Sequence, residues 1–399
     1  MDFLPKLRFI VTSDIHYKID SDVEKERFEK GMKMAYAYAE KSSYKKIDAF
    51  FAVGDFANSG SEAEMLKFKA SLDSVIKPET KINLMLASHE FHSEGGQEGA
   101  YKRLKEIYNV EADDYFELNG CPFICISTED GCRIKEKKQE WLTGCLKDAV
   151  SKERKRPIFV FQHPHLTDTV YGSINWGDDD IIAILTDYPQ VIDFSGHSHA
   201  PINDPRSIHQ KFFTSLGTGS VSYFELDEFD FMYGTIPPDC KKCAQYYIVE
   251  VDDNNAVRIM PVDILSGNFF HSGYYIKTPW EPESFVYTDA RAAKEAAPYF
   301  DGTFRCSIKK IEDKLNIMFS QAKTDDYRVD SYSVVIRSAD TNNVLLQKKV
   351  SSSYYIYNMP EYIRFDIDFP YEKGDYIAEI YANGFWFAKS DKICVSFSV

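Results

Sequence analysis

The chain is poor in positive charge. It has 47 lysines and arginines against 62 aspartates and glutamates, a formal net charge of -15 over 399 residues. That balance argues against a general basic surface for nucleic-acid polymers or anionic membranes. It does not forbid a phosphorylated substrate, because a metal centre can reverse the local field at one site. No run approaches 18 consecutive apolar residues, so no membrane span is expected. No basic region leads into an apolar stretch with a small-residue cleavage site, so the expectation is a cytoplasmic protein. A chain trimmed of its leader would read the same.

Cysteines are scattered: Cys121, Cys125, Cys132 and Cys145 in the first half, Cys306 and Cys394 near the end. This spacing excludes a dense disulfide framework. Cys240-Lys241-Lys242-Cys243 is a single CxxC, and a structural zinc site would need a second pair. The pair therefore reads as ordinary thiols in a loop. Repeats and low-complexity tracts are absent. No histidine occurs after His271, which keeps metal chemistry out of the last third.

What is present is 44% hydrophobic residues, enough for a sizeable core, in a length that suits two domains. Leu7 to Ser13 reads as a strand buried on both faces and runs into Asp14-Ile15-His16. Ser21 to Glu24 has the form of a capping box, and residues 22–41 continue as an amphipathic helix. Strands at Asp48 to Val53 and Ile82 to Ala87 end in Gly54-Asp55 and Ser88-His89-Glu90, with a helix between them opening at Ser61. Helices are expected at Gly99 to Tyr108, Lys137 to Val150 and Asp179 to Thr186. Strands are expected at Asp114 to Leu118, Pro122 to Ser127, Pro157 to Phe161 and Val191 to Phe194. Later strands are expected at Lys211 to Ser215, Ser220 to Leu226, Gln245 to Val251 and Val257 to Ile264. This alternation predicts an α/β domain with a largely parallel sheet over residues 1–265. A connector covers 266–299. Residues 300–399 read as β throughout, with a hairpin at Asn383-Gly384 joining strands at Tyr376 to Ala382 and Phe385 to Lys389. Their length and turn spacing suggest an all-β sandwich of immunoglobulin-like build.

The order of the polar residues carries the functional reading. Asp14, His16, Asp55, His89, His163, His197 and His199 each come just after a predicted strand. The carboxyl ends of parallel strands share one edge, where ligands bind. Gly196-His197-Ser198-His199 is the densest part, with a glycine that lets the backbone turn so that two imidazoles face one point. Hard carboxylates and imidazoles without thiols suit divalent ions such as Mn, Fe or Zn. The set is large enough for two ions. Asp14, His16 and His199 would complete one site, His163 and His197 the other, with Asp55 bridging. Two ions about 3.5–4 Å apart can hold a bridging hydroxide and clamp a phosphoryl group for in-line attack.

These motifs, Asp14-Ile15-His16, Gly54-Asp55, Ala87-Ser88-His89-Glu90, His163 and Gly196-His197-Ser198-His199, resemble the calcineurin-like metallophosphoesterases over roughly residues 5 to 265. The resemblance implies a four-layer α/β/β/α sandwich, two divalent metals, and hydrolysis of phosphomonoesters or phosphodiesters, nucleotides and cyclic nucleotides among them. It implies metal ligation by Asp14, His16, Asp55, His163, His197 and His199. His89 would donate a proton to the leaving oxygen or stabilise the transferring phosphoryl group, a task that suits a pKa near working pH. The family's usual asparagine before that histidine is replaced by Ser88, a shorter and weaker ligand. The second site is therefore expected to hold its metal more weakly and activity to be reduced. Asn58 stands where some relatives carry an aspartate that orients the catalytic histidine. Tyr171 and Arg206 border the predicted centre, as substrate-stacking and phosphate-gripping candidates or as packing and surface-turn residues. His165 and His92 read as supporting or solvent residues, His209 and His271 as structural. The expected partner is a small phosphorylated molecule. The alternative is a metal-binding scaffold that keeps the fold without efficient turnover, in which the C-terminal β-domain grips a partner or carbohydrate.

Overall fold

The computed structural model describes residues 3–226, 236–237, 239–371 and 373–399. The chain forms two compact units, one reaching Thr288 and one running from Asp289 to Val399.

The first unit contains β1 (Pro5–Thr12), α1 (Val23–Lys41), β2 (Ala49–Val53), α2 (Glu62–Val75), β3 (Lys81–Met85) and α3 (Gly96–Tyr108). It continues through β4 (Asp114–Leu118), β5 (Cys121–Cys125), α4 (Glu136–Lys152), β6 (Ile158–Phe161), β7 (His165–Leu166), α5 (Ser173–Trp176), β8 (Gly177–Asp178) and α6 (Ile182–Leu185). Next come β9 (Val191–Ser195), β10 (Ile208–Gln210), β11 (Thr214–Gly217), β12 (Gln245–Asp252), β13 (Val257–Asp263), β14 (Asn268–Phe269) and β15 (Tyr274–Ile276).

The strands form two mixed sheets where strand–helix alternation alone suggested one, and two is the number that the four-layer resemblance implies. One has the order β14-β13-β12-β1-β2-β3, with β15 beside β13; the other has the order β10-β11-β9-β6-β5-β4. Strands β1, β2 and β3 are parallel, as are β5, β6, β9 and β11. The reason lies in the alternation along β1 and β2. Ile10, Phe50 and Ala52 face one core with Phe28, Met32 and Phe68 of the helices. Phe9, Val11, Phe51 and Val53 face another, against Phe123, Phe159, Phe161 and Phe194 of the second sheet. A sheet apolar on both faces needs cover on both. Phe51 and Phe161 stack with centroids 3.9 Å apart across that gap, and Phe9 meets Phe159 edge-on at 4.9 Å. The far face of the second sheet buries Ile124, Val160 and Val191 under Leu142 and Leu146 of α4. The turn at Asn119-Gly120, both at positive φ, folds β5 back on β4.

The second unit holds β16 (Cys306–Ile311), β17 (Lys314–Ser320), β18 (Ser331–Ser338), β19 (Val344–Ser351), β20 (Tyr362–Asp368), β21 (Asp375–Asn383) and β22 (Ile393–Ser398). They form sheets β16-β17-β20 and β19-β18-β21-β22 around Phe319, Tyr332, Ile336 and Ile380.

Two expected strands are absent. Residues 220–226 form no strand, because their polar groups are used elsewhere. The Ser220 hydroxyl donates to the Asp14 carbonyl (2.9 Å), and Arg27 takes the Val221 and Ser222 carbonyls. Residues 385–389 form no strand, although the chain does turn back after Asn383-Gly384, where Lys389 bridges Asn383 antiparallel and the Gly384 N–H donates to the Ala388 carbonyl. The Glu295 carboxylate accepts the backbone N–H groups of Phe385, Trp386 and Ala388, which a strand partner would otherwise need. β21 pairs with β22 instead.

Candidate metal centre

The polar residues predicted at strand ends meet where β1, β2 and β3 of one sheet and β6 and β9 of the other terminate. Three sets of ligand atoms lie within 4.8 Å of one another: Asp14, His16 and His199; His16, Asp55 and His89; and Asp55, His163 and His197. Asp55 belongs to two of these sets and His16 to two. Apart from His89, the members are buried or nearly so.

The backbone is strained to bring them together. Asp14, His16, Asp55, His197 and His199 all lie at positive φ, between 49° and 76°. Each such non-glycine residue costs about 1–3 kcal/mol and persists only where its surroundings hold it. Here they do. Asp14 and His16 donate their N–H groups to the carbonyls of Gly54 and Asp55. The His197 N–H donates to the Asp14 carboxylate (3.2 Å), which also accepts from the Ser13 hydroxyl. Between His197 and His199, the Ser198 hydroxyl sits 2.7 Å from Nε2 of buried His165, whose Nδ1 is 2.8 Å from the Ser195 hydroxyl. Gly54 is needed at its turn: φ is +81°, and a Cβ there would lie 2.4 Å from His163 Nδ1.

Tautomers decide what the centre can hold. His163 Nδ1 lies 2.7 Å from the Val53 carbonyl and His199 Nδ1 lies 3.1 Å from the Tyr223 carbonyl. A carbonyl accepts only, so both Nδ1 atoms carry hydrogen and the neutral rings turn a bare Nε2 inward. Those lone pairs face Asp55 Oδ2 at 3.1 Å and Asp14 Oδ1 at 3.2 Å. His16 Nε2 and His199 Nε2 stand 3.1 Å apart. Lone pairs this close repel unless a proton or a cation lies between them. Among the described residues, Asp14 Oδ1 and His163 Nε2 are buried with no hydrogen-bond partner. The residues present therefore fit a divalent cation in chemistry and direction.

The pKa shifts have the same origin. Burial works against the charge on Asp14, but His199 and His163 outweigh it and hold the carboxyl well below its usual range. Burial opposes a charge on His163, yet Asp55 and Asp14 push it up to about 10, so that with no cation between them a proton on Nε2 relieves the close approach to Asp55. Burial and then the neighbouring His199 push His16 down to about 3. Burial and then His163 push His197 down to about 4. Among the described residues, Asp14 and Asp55 pair only with histidines, so the basin is electronegative and free of competing lysine or arginine.

The Ser88 hydroxyl donates to Asp55 (3.1 and 3.3 Å to its two oxygens), and the turn at Gly131 packs against it. His89 stands at the opening, its side chain 32% exposed, with Nε2 4.0 Å from Asp55 Oδ2. It is oriented by the Asn58 backbone carbonyl, 2.6 Å from Nδ1, rather than by the Asn58 side chain. The His92 ring lies 4.9 Å from it. Arg206 places Nε and Nη2 on Asp204 (2.9 and 2.7 Å) and its guanidinium over the Tyr171 ring at 4.0 Å. Two aromatic residues not expected at the centre line it: Trp176, edge-on to His197 at 4.9 Å, and Tyr223, 4.4 Å from His199. Nothing in their local sequence marks them, since loop packing alone brings them there.

The family model for calcineurin-like phosphoesterases matches residues 7–201. Those residues belong to the calcineurin-like phosphoesterase family. The matched span runs from β1 through the His197–His199 loop and so contains every member of the three sets. The solved purple acid phosphatase PPD1 from yellow lupin (Lupinus luteus) seeds is similar at a TM-score of 0.51 and 16% identity, covering 68% of this chain and 53% of that one. This chain thus spans about half the length of that phosphatase, and the likeness is one of fold. A structure of PhoD is similar at a TM-score of 0.44 and 11% identity, over 70% of this chain and 71% of that one. No curated protein matches the chain. No helix among the described residues is long and apolar enough to cross a membrane.

Proposed function

We propose that this chain is a metal-dependent hydrolase of small phosphoesters with a dinuclear centre. The observation that carries the reading is the inward set of imidazole lone pairs and carboxylates, with Asp55 shared between two groups of ligand atoms. Asp14, His16 and His199 would hold one divalent ion, His163 and His197 the other, with Asp55 between them. Bound ions would supply Lewis acidity at the phosphoryl oxygens and an activated water for attack on phosphorus. The chain's own residues do the rest. Asp14 and Asp55 stay ionised in the electronegative basin, which draws cations. His89, anchored through Nδ1, offers Nε2 at the opening, where it hands a proton to the leaving oxygen or hydrogen-bonds the transferring phosphoryl group. The three cores of the first unit support a four-layer arrangement, and the paired antiparallel sheets of the second support an immunoglobulin-like sandwich.

Ser88 favours a second reading, a metal-binding scaffold with weak turnover. Its hydroxyl is turned onto Asp55, so a metal held by His163 and His197 would be without the amide oxygen that the family's usual asparagine would offer. Release of nitrophenol from p-nitrophenyl and bis-p-nitrophenyl phosphate with added Mn²⁺, Fe²⁺ or Zn²⁺ separates the two. Release supports the hydrolase, and none with either substrate supports the scaffold. Elemental analysis is expected to find one tightly held ion per chain and a second restored by Ser88→Asn. Two tight ions in the unaltered protein would refute the weak-site argument.

A further inference from the structure

Glu90 is buried at 0% exposure beside the candidate centre; Arg103 reaches its backbone carbonyl (3.3 Å), and its carboxylate forms no ion pair with a lysine or arginine among the described residues. It accepts three backbone N–H groups instead. Oε2 takes those of Asp55 (3.1 Å) and Ala87 (3.0 Å), and Oε1 takes that of Ala57 (2.9 Å). Asp55 and Ala57 lie just past β2; Ala87 lies just past β3. One carboxylate therefore ties the ends of two parallel strands together from beneath.

The tie is reciprocal. Glu90 holds the N–H of Asp55, while the Asp55 carboxylate accepts the His89 N–H (2.9 Å) and the Ser88 hydroxyl from the other strand end. Asp55 is also one of the residues at positive φ, 50°, and needs such restraint. Gly60 adds a close backbone approach, since a Cβ there would lie 2.2 Å from the Glu90 carbonyl oxygen.

We propose that Glu90 is a positioning residue: it fixes the backbone of Asp55 so that this carboxylate reaches both groups of ligand atoms. The proposal rests on reading Asp55 as a metal ligand. It turns on two acceptor oxygens that serve three N–H groups. In Glu90→Gln the amide keeps one oxygen, which can replace Oε2 and serve Asp55 and Ala87. Its NH₂ then points at the Ala57 N–H, and two donors oppose each other at about hydrogen-bond distance. Flipping the amide opposes two N–H groups instead.

The test compares Glu90→Gln with Leu146→Ala, a core change under the far sheet that lowers stability without touching the centre. Mn²⁺ affinity is read by titration calorimetry, apo stability by thermal melting, and turnover of p-nitrophenyl phosphate at saturating Mn²⁺. Glu90→Gln is expected to weaken Mn²⁺ binding about 10–100-fold, the range for residues that orient a ligand, and to lower kcat with KM little changed. Leu146→Ala, though less stable, is expected to bind Mn²⁺ as the unaltered protein does. Glu90→Asp, which keeps both carboxyl oxygens but falls a methylene short, is expected to lie between and serves if the glutamine variant does not fold. Unaltered affinity in the Glu90 variants, or equal weakening in Leu146→Ala, would overturn the proposal. Failure of the unaltered protein to bind Mn²⁺, Fe²⁺ or Zn²⁺ would instead overturn the ligand reading on which it stands.

Discussion

Asp193 lies in the middle of β9 with 0% exposure. Its neighbours Ile192 and Phe194 face the core between the sheets, so alternation turns Asp193 to the helix-covered face with Val160 and Val191. Gln162 Nε2 donates to its Oδ1 at 3.3 Å, while Asp193 Oδ2 and Gln162 Oε1 are buried with no hydrogen-bond partner among the described residues. Burial pushes the carboxyl up to about 8, and the single bond from Gln162 does little to reverse it. The folded chain holds this proton and the unfolded chain releases it near pH 4. Stability from Asp193 is therefore fully present below about pH 4 and is lost as pH rises towards 8. From pH 5 to 7.5 the folded state binds nearly one extra proton, over about 2.5 pH units, or about 3 kcal/mol. At roughly 2 °C per kcal/mol for a unit of this size, that is about 6 °C in Tm. Asp193→Asn removes the titration and keeps the shape, and its amide can reach Gln162 Oε1. Thermal melts of both proteins from pH 5 to 8.5 check this. The variant is expected to match the unaltered protein only near pH 4, to exceed it by about 1.5 kcal/mol at pH 5, and to gain progressively above. Parallel curves would refute the argument, because all other groups titrate alike in both proteins.

Gly54→Ala is expected to abolish tight Mn²⁺ binding and to lower stability by about 1–3 kcal/mol, since a Cβ at φ +81° would enter the His163 ring. Calorimetric titration showing unchanged affinity would contradict the role given to this turn. Arg8 and Glu250 are a fully buried ion pair at 2.7 Å, with Arg258 on the same carboxylate. Glu250→Ala leaves Arg8 buried without its counter-charge, and urea unfolding is expected to show a loss of about 3–5 kcal/mol. A loss below about 1 kcal/mol would mean that water or a shifted backbone replaces the carboxylate.

Much of the centre was legible because its residues are short-range features. Asp14-Ile15-His16, Gly54-Asp55, His163 and Gly196-His197-Ser198-His199 each sit directly after an apolar β-prone run. Parallel strands must deliver the residues at their carboxyl ends to a common edge. The apolar alternation of Phe9, Phe51 and Phe161 equally required cover on both faces. By itself the sequence determined which side chains stand at strand ends, and that they are carboxylates and imidazoles suited to hard cations.

Other features had no local signature. Whether segment 220–226 is a strand depends on Arg27 and Asp14, roughly two hundred residues away, claiming its carbonyls and hydroxyl. Residues 385–389 close a turn without forming a strand because Glu295 takes N–H groups of Phe385 and Ala388. That Arg206 turns to Asp204, and that Asn58 orients His89 by its carbonyl, are choices among competing hydrogen-bond partners. Only the tertiary structure decided which nitrogen of each histidine faces inward, because the Val53 and Tyr223 carbonyls that fix those tautomers come from distant segments. The physical reason is common to all of these. Composition and periodicity fix where a side chain sits along its own strand, whereas hydrogen-bond pairing is settled between segments that meet only once the two sheets have closed on their shared core.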